Sequence, residues 1–223
     1  MKPIVNVVYL PGTNCQTETM RAFARVGGKP HLLFLTEVLS GAARLDDGDI
    51  LCIPGGFSFG DHLGAGSIAA LLLRTKLRSQ LDACRDRLML CICNGFQIAV
   101  RAGCFGPGIA LETNECGTFR NVPEQPHLVA TDNSSPWLTG LAGERLVFPC
   151  AHGEGRFVYE RRGVWRSVLH YPRDANPDGS MDEIAGITST DGLVFGLMNH
   201  PERAQDQHDN LTIFENGVRA ATS

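Results

Sequence analysis

Four short, almost uninterrupted apolar runs, Ile4 to Leu10, His31 to Leu35, Asp49 to Ile53 and Leu88 to Cys93, alternate with helical periodicity at Thr17 to Val26, Ala65 to Arg85 and Asn94 to Arg101. Runs that are apolar throughout suit strands buried on both faces, and the helices between them supply the crossovers that parallel strands need. The alternation predicts an α/β protein with an open, doubly wound, mostly parallel sheet and helices on both faces. In such a sheet ligands bind beyond the carboxyl ends of the strands. Three unusual loops leave those ends: Pro11-Gly12-Thr13-Asn14-Cys15, the run Pro54 to Asp61, and the corner at Cys93. They should converge in space.

From Ile109 to about Ile187 the pattern changes to short β pieces between turn residues, among them Arg145 to Cys150, Arg156 to Tyr159 and Val168 to Tyr171. This predicts an antiparallel β addition in the second half of the chain. Val194 to Met198 reads as one further strand, and a closing helix is expected from Asp209 to Ala220. No repeat, low-complexity tract or flexible linker interrupts the 223 residues, so 1–223 is expected to form a single domain.

The stretch Leu-Cys-Ile-Cys-Asn-Gly-Phe-Gln, Leu90 to Gln97, is a buried strand breaking into a helix with Cys93 at the turn. A nucleophile held at such a corner stands clear of the sheet, faces the positive end of the following helix, and has the next backbone N–H at hand for an oxyanion. Cys91, two residues earlier on the strand, is read as a packing residue. Far downstream, His200-Pro201-Glu202 offers a base and a carboxylate to orient it, with proline restricting the backbone between them. Each is unremarkable singly, but with the elbow they suggest a Cys93-His200-Glu202 triad. The glycines of Pro54-Gly55-Gly56-Phe57-Ser58 can present backbone N–H groups and admit a close substrate. Gly55, Gly56, Phe57, Asn94 and Gln97 are therefore the expected oxyanion and substrate-binding residues. His152, Gly153 and Glu154, within Ala151 to Phe157, are candidates for a loop that touches substrate or a partner.

Other chemistries find no footing. A net charge of −4 without a basic run argues against nucleic acid and anionic membranes, and no apolar run approaches the ~20 residues a membrane span requires. The chain enters its first strand without a signal-peptide pattern, so a cytoplasmic location is expected. The eight cysteines sit in apolar segments as reduced core thiols, no zinc spacing completes a metal site, and no phosphate-binding glycine motif occurs. No metal or cofactor is expected in this chain.

Pro11 to Cys15, Pro54 to Asp61, Cys93-Asn94-Gly95-Phe96-Gln97, Ala151-His152-Gly153-Glu154-Gly155, Asn176 to Ser180, Ile184 to Ile187 and His200 to Ala204 together resemble class I glutamine amidotransferases over almost the whole chain. Within that class they are most similar to the small glutaminase subunits of purine biosynthesis. The resemblance implies Cys93 as nucleophile, His200 as acid-base and Glu202 as its orienter, acting on L-glutamine. It implies delivery of ammonia to a separate synthetase subunit that makes formylglycinamidine ribonucleotide, with a further small subunit in the complex. ATP and magnesium would belong to that synthetase. Three positions depart from the family pattern: Cys91 replaces a usual glycine, Gly64 an arginine and Asn199 a proline. The competing expectations are a glutaminase subunit serving a different synthetase and a non-catalytic regulatory or binding relative.

Overall fold

A computed structural model describes residues 1–122, 127–131, 133–203 and 211–222 of the chain. The first half alternates as its apolar runs require: β1 (Ile4–Tyr9), α1 (Gln16–Arg25), β2 (Lys29–Phe34), α2 (Leu35–Ser40), β3 (Ile50–Ile53), α3 (Ser67–Lys76), α4 (Arg78–Arg85), β4 (Leu88–Ile92) and α5 (Asn94–Ala102). The second half is strand-rich: β5 (Ile109–Glu112), β6 (Arg120–Val122), β7 (His127–Ala130), β8 (Arg145–Val147), β9 (Cys150–His152), β10 (Arg156–Tyr159), β11 (Trp165–His170), β12 (Ile184–Ser189) and β13 (Val194–Leu197), before the closing α6 (Thr212–Ala220).

Nine strands form one sheet in the order β2-β1-β3-β4-β13-β12-β11-β7-β8. From β2 to β13 every pairing is parallel, and from β13 through β12 to β8 every pairing is antiparallel. The expected architecture, a parallel sheet with an antiparallel addition, is the one observed. β3, β4 and β13 are buried at every position, which is why their sequences lack alternation. The core also takes Phe23 of α1 edge-to-face on Phe214 of α6, and Phe96 of α5 edge-to-face on Phe105.

Several element boundaries differ from expectation for identifiable reasons. The helix expected over Ala65 to Arg85 is two helices, broken at the buried Leu77, so that Leu73 on one and Leu81 and Cys84 on the other all reach the core. The strand expected over Arg145 to Cys150 divides at Phe148-Pro149. Proline has no N–H for a ladder, so β8 pairs with β7 in the main sheet while β9 turns away to pair with β6. α2 begins at Leu35, where the second strand was expected to end, and stops at Gly41 in the left-handed region. All eight cysteines are free thiols, but Cys116 is exposed rather than a core residue. Asp209, the expected start of the last helix, and Ala204 lie outside the described residues.

The decisive pairing for function is β13 beside β4 in parallel register, with Leu197 opposite Ile92. Two chain segments more than a hundred residues apart thereby leave the sheet at the same edge.

Candidate active site

Cys93 sits between β4 and α5 with φ 50° and ψ −109°, a conformation that L-residues with a Cβ rarely adopt. The strain is held by its surroundings. The Cys93 N–H donates to Leu197 O at 2.8 Å, and its carbonyl accepts the first helical bond from Gln97 N–H at 3.0 Å. Gly95 permits the close approach of α5 to β3, because a Cβ there would lie 1.9 Å from Ile53 O. The result is the sharp strand-to-helix corner expected of a nucleophile elbow.

From the end of β13 the chain delivers His200, whose backbone N–H donates to Pro149 O at 2.8 Å. His200 and Cys93 line one cavity of about 170 Å³ with Gly56, Phe57 and Arg203. His200 Nδ1 is 2.6 Å from Glu202 Oε1, and both side chains are at most 1% exposed. Nε2, the other ring nitrogen, has no hydrogen-bond partner although it is buried. Nδ1 bound to a carboxylate carries the proton, leaving Nε2 available to a proton from the cavity. Burial works against the imidazolium, but the Glu202 carboxylate and the Cys93 and Cys15 sulfurs outweigh it and hold His200 protonated well above the ordinary histidine range.

The glycine loop closes over this pair. Thr13 bridges Gly56, and the Asn14 and Cys15 N–H groups donate to Gly55 O at 3.5 and 3.2 Å, so the three strand-end loops do converge. Gly55 must be glycine here, since a Cβ would meet His200 Cε1 at 2.7 Å. Among the expected oxyanion and substrate-binding residues, Phe57 has its N–H committed to Gly12 O at 2.9 Å. Gly56 and Asn94 N–H carry no such bond among the described residues. The Asn94 side chain joins the loops instead: Oδ1 accepts from Ser58 N–H at 3.0 Å, and Nδ2 donates to Gln97 Oε1 at 2.9 Å and Asp61 Oδ1 at 3.2 Å.

Gln97, Asp61, His152, Gly153 and Glu154 line an adjoining cavity of about 110 Å³ that also contains Cys93. Gln97 Nε2 donates to Glu154 O at 2.7 Å, while the Glu154 carboxylate accepts from Ala65 N–H and pairs with Arg101 Nη2 at 3.2 Å. Asp61 is half-buried, and burial together with the nearby Glu154 pushes its carboxyl up. Arg101 Nη2 approaches within 3.3 Å of where a side chain at Gly64 would begin, so a guanidinium from α5 lies beside this position. Asn199 is likewise integrated, its Nδ2 donating to Phe148 O and its Oδ1 lying 3.0 Å from the Tyr171 hydroxyl. Cys91 is buried on β4 opposite Gly196, and burial pushes its thiol well up, as befits a packing residue.

His152 faces inward beneath the cavity, with Nε2 3.1 Å from Cys150 Sγ and 3.7 Å from Asp178 Oδ2. This second Cys-His-Asp group is not a second nucleophile. Burial drives the Cys150 thiol up to about 12 and His152 down to about 3, so both remain neutral.

No local sequence pattern singles out Cys15, Asp61, Arg101 or Arg203; only the expected convergence of the loops points toward the first two. Cys15 Sγ, His200 Nδ1 and a Glu202 oxygen lie within 4.8 Å of one another, the one such cluster among the described residues that could hold a metal ion. Its chemistry does not fit one. Arg203 Nη2 is already 3.0 Å from the sulfur, and the Nδ1 to Oε1 contact is closer than two ligands of one ion normally sit.

A cysteine at a strand-to-helix corner, answered by a His-Glu pair from the neighbouring parallel strand of an open α/β sheet, defines a glutamine amidotransferase. Residues 2–218 match the family of CobB/CobQ-like glutamine amidotransferase domains. The chain is 37% identical to the phosphoribosylformylglycinamidine synthase subunit PurQ of Thermotoga maritima, over 93% of this chain and 91% of that one. It is 33% identical to the same subunit of Dehalococcoides mccartyi, over 96% of each chain. The solved structure of PurLQS from Thermotoga maritima superimposes with a TM-score of 0.80 at 35% identity, covering 99% of this chain and 97% of that one. The chain belongs to the family of phosphoribosylformylglycinamidine synthase glutaminase subunits.

Proposed function

We propose that the protein hydrolyses L-glutamine to glutamate and ammonia and passes the ammonia to a separate ATP-dependent synthetase that makes formylglycinamidine ribonucleotide. The observation that carries this reading is the elbow cysteine sharing a cavity with an imidazole that Glu202 holds at 2.6 Å. The Cys93 thiolate attacks the carboxamide carbon, and the Gly56 and Asn94 N–H groups receive the oxyanion. His200 protonates the departing nitrogen, ammonia leaves, and a glutamyl thioester remains on Cys93. The same imidazole then takes a proton from water, whose oxygen attacks the thioester and releases glutamate and the thiol. The Asp61 carboxylate, at the cavity end lined by Gln97 and Glu154, is suited to the α-ammonium of free glutamine, while Arg101 offsets Glu154.

Ammonia is mostly ammonium in neutral water and then cannot act as a nucleophile, so transfer needs a sheltered route. Phe57 and Phe119, 43% and 49% exposed, stand 6.1 Å apart at the cavity mouth and suit a docking synthetase that shields the exit. We assign ATP and magnesium to that synthetase, place a further small subunit in the complex, and read this chain as one domain working in the cytoplasm. No helix among the described residues is long and apolar enough to cross a membrane. The test is glutamate release and ammonia transfer in the complex reconstituted with the synthetase. Cys93→Ala should abolish glutamine-driven synthesis and leave synthesis from added ammonium salt intact. Wild-type complex releasing no more glutamate than Cys93→Ala would overturn the reading.

A further inference from the structure

A second sulfur stands behind the triad, and the steps above give it no task. Cys15, the residue before α1, is 2% exposed. Its Sγ accepts from Arg203 Nη2 at 3.0 Å, lies 3.1 Å from Asn14 Oδ1, and is 3.9 Å from His200 Nδ1, the nitrogen that Glu202 engages. A side chain at Gly55 would strike both the imidazole and this sulfur, so the three groups are in packing contact. Arg203 follows Glu202 directly and lines the cavity that holds Cys93 and His200. It also lines a rear cavity of about 500 Å³, shared with Cys15, Glu202, Arg21 and Arg25.

This arrangement sets a competition. Glu202 supports catalysis only while its charge is directed at His200, yet the guanidinium of the adjacent residue lines the same rear cavity as Glu202. Arginine presents several donors and pairs readily with carboxylates. We propose that Cys15 is a positioning residue of the triad: its sulfur anchors the Arg203 guanidinium so that Glu202 remains committed to His200. The proposal rests on the glutaminase reading above. The other titratable groups facing His200 are Cys93 from the elbow and Cys150 and His152 from β9, and Cys52 of β3 lies near Glu202. Cys150 and His152 stay neutral, and burial keeps the Cys52 thiol protonated; α1 adds Glu18, Arg21 and Arg25 across the rear cavity, and among the cations there Arg203 is the one the Cys15 sulfur holds.

The test is the pH dependence of glutamine hydrolysis in the reconstituted complex, together with the pH dependence of Cys93 alkylation by iodoacetamide in the same assembly. In Cys15→Ala the guanidinium loses its anchor and turns to Glu202, the imidazolium loses support, the alkaline limb of the hydrolysis profile moves down by roughly half to one pH unit, and the rise of Cys93 alkylation moves to higher pH. Above that limb the rate falls about three- to tenfold at fixed pH. Cys15→Ser keeps an acceptor for Arg203 and should restore the wild-type limb. Arg203→Met combined with Cys15→Ala removes the competing charge and should bring the limb most of the way back, short only of the direct Cys15 contact to His200, which loss of packing alone would not produce. Cys15→Val, similar in volume but without an acceptor, should repeat the alanine shift and serves if the alanine variant folds poorly. Cys15→Ala or Cys15→Val profiles that superimpose on wild type overturn the proposal, as does a shift that is undiminished in the double variant. If wild-type complex releases no glutamate, the proposed function fails instead, and the alkylation profiles still decide the part played by Cys15.

Discussion

Replacing Glu202 with glutamine removes one charge and almost no volume from a pair that is essentially excluded from water. The contact to His200 Nδ1 is 2.6 Å, short even for a charge-assisted hydrogen bond. A glutamine oxygen can still accept from Nδ1–H, so the neutral imidazole keeps its orientation; the imidazolium loses its counter-charge. Without that counter-charge the buried imidazolium is left uncompensated, so the His200 proton affinity falls. The imidazolium is then the less favoured form of His200. Glu202→Gln should therefore lower kcat for glutamine hydrolysis by up to about 10⁴-fold, the loss known for neutralising the orienting carboxylate of a triad. The assay is glutamate release by the reconstituted complex, with ammonium-driven synthesis as the control that the synthetase is intact. Stability should respond with a defined sign. A histidine whose folded proton affinity is raised contributes stability that is complete below its ordinary value of 6.5 and is lost as pH rises through the raised folded value. The variant should thus melt below wild type at pH 6 and approach it in alkaline buffer. A Glu202→Gln enzyme within tenfold of wild type, with an unchanged pH profile, would refute the assignment of Glu202 as the group that charges His200.

Asp61→Asn should raise KM for glutamine about tenfold to a hundredfold with kcat little changed, since a hydrogen bond to a charged group is worth about 1.5–3 kcal/mol. The same variant should discriminate less against amides that lack an α-ammonium, and unchanged discrimination would remove Asp61 from substrate recognition. Gly95→Ala places a Cβ 1.9 Å from Ile53 O, a backbone atom that cannot swing aside. It should cost about 1–3 kcal/mol or more of stability and displace the elbow, read as a lower melting temperature with loss of glutamine-driven turnover. His152, lowered to about 3, takes up its proton only on unfolding between that value and 6.5, so its contribution falls as pH falls. Asp178, raised to about 6 by burial, works in the opposite sense between 3.8 and 6. Their effects should nearly cancel from pH 6 to 4 and leave a loss of stability below that; a steady fall in the urea midpoint across pH 6 to 4 would contradict the pairing.

Much of the candidate site's framework is legible in the sequence because it is written in local rules. Uniformly apolar short runs mean strands covered on both faces, and β3, β4 and β13 are buried throughout. An apolar strand ending in Cys-Asn-Gly before a helical pattern means a sharp corner, and Cys93 occupies one with positive φ. Boundaries were less legible where the deciding contact is distant: nothing around Leu77 announces a helix break that exists to bring two apolar faces onto the core. Phe57 illustrates the same limit at the site, since its backbone N–H is taken by Gly12 O across a loop contact rather than left for substrate.

From the chain alone came the α/β class, the elbow with its thiol, and the histidine and carboxylate that answer it, because hydrophobic period and turn chemistry act over a few neighbouring residues. Tertiary structure alone decided that β13 lies parallel to β4 with Leu197 opposite Ile92, which carries His200 to the cavity of Cys93. It also decided that Cys15 and Arg203 meet behind the imidazole and that Arg101 stands beside Gly64. Those juxtapositions join residues far apart in sequence, and the register and packing of a finished sheet set them rather than any local preference.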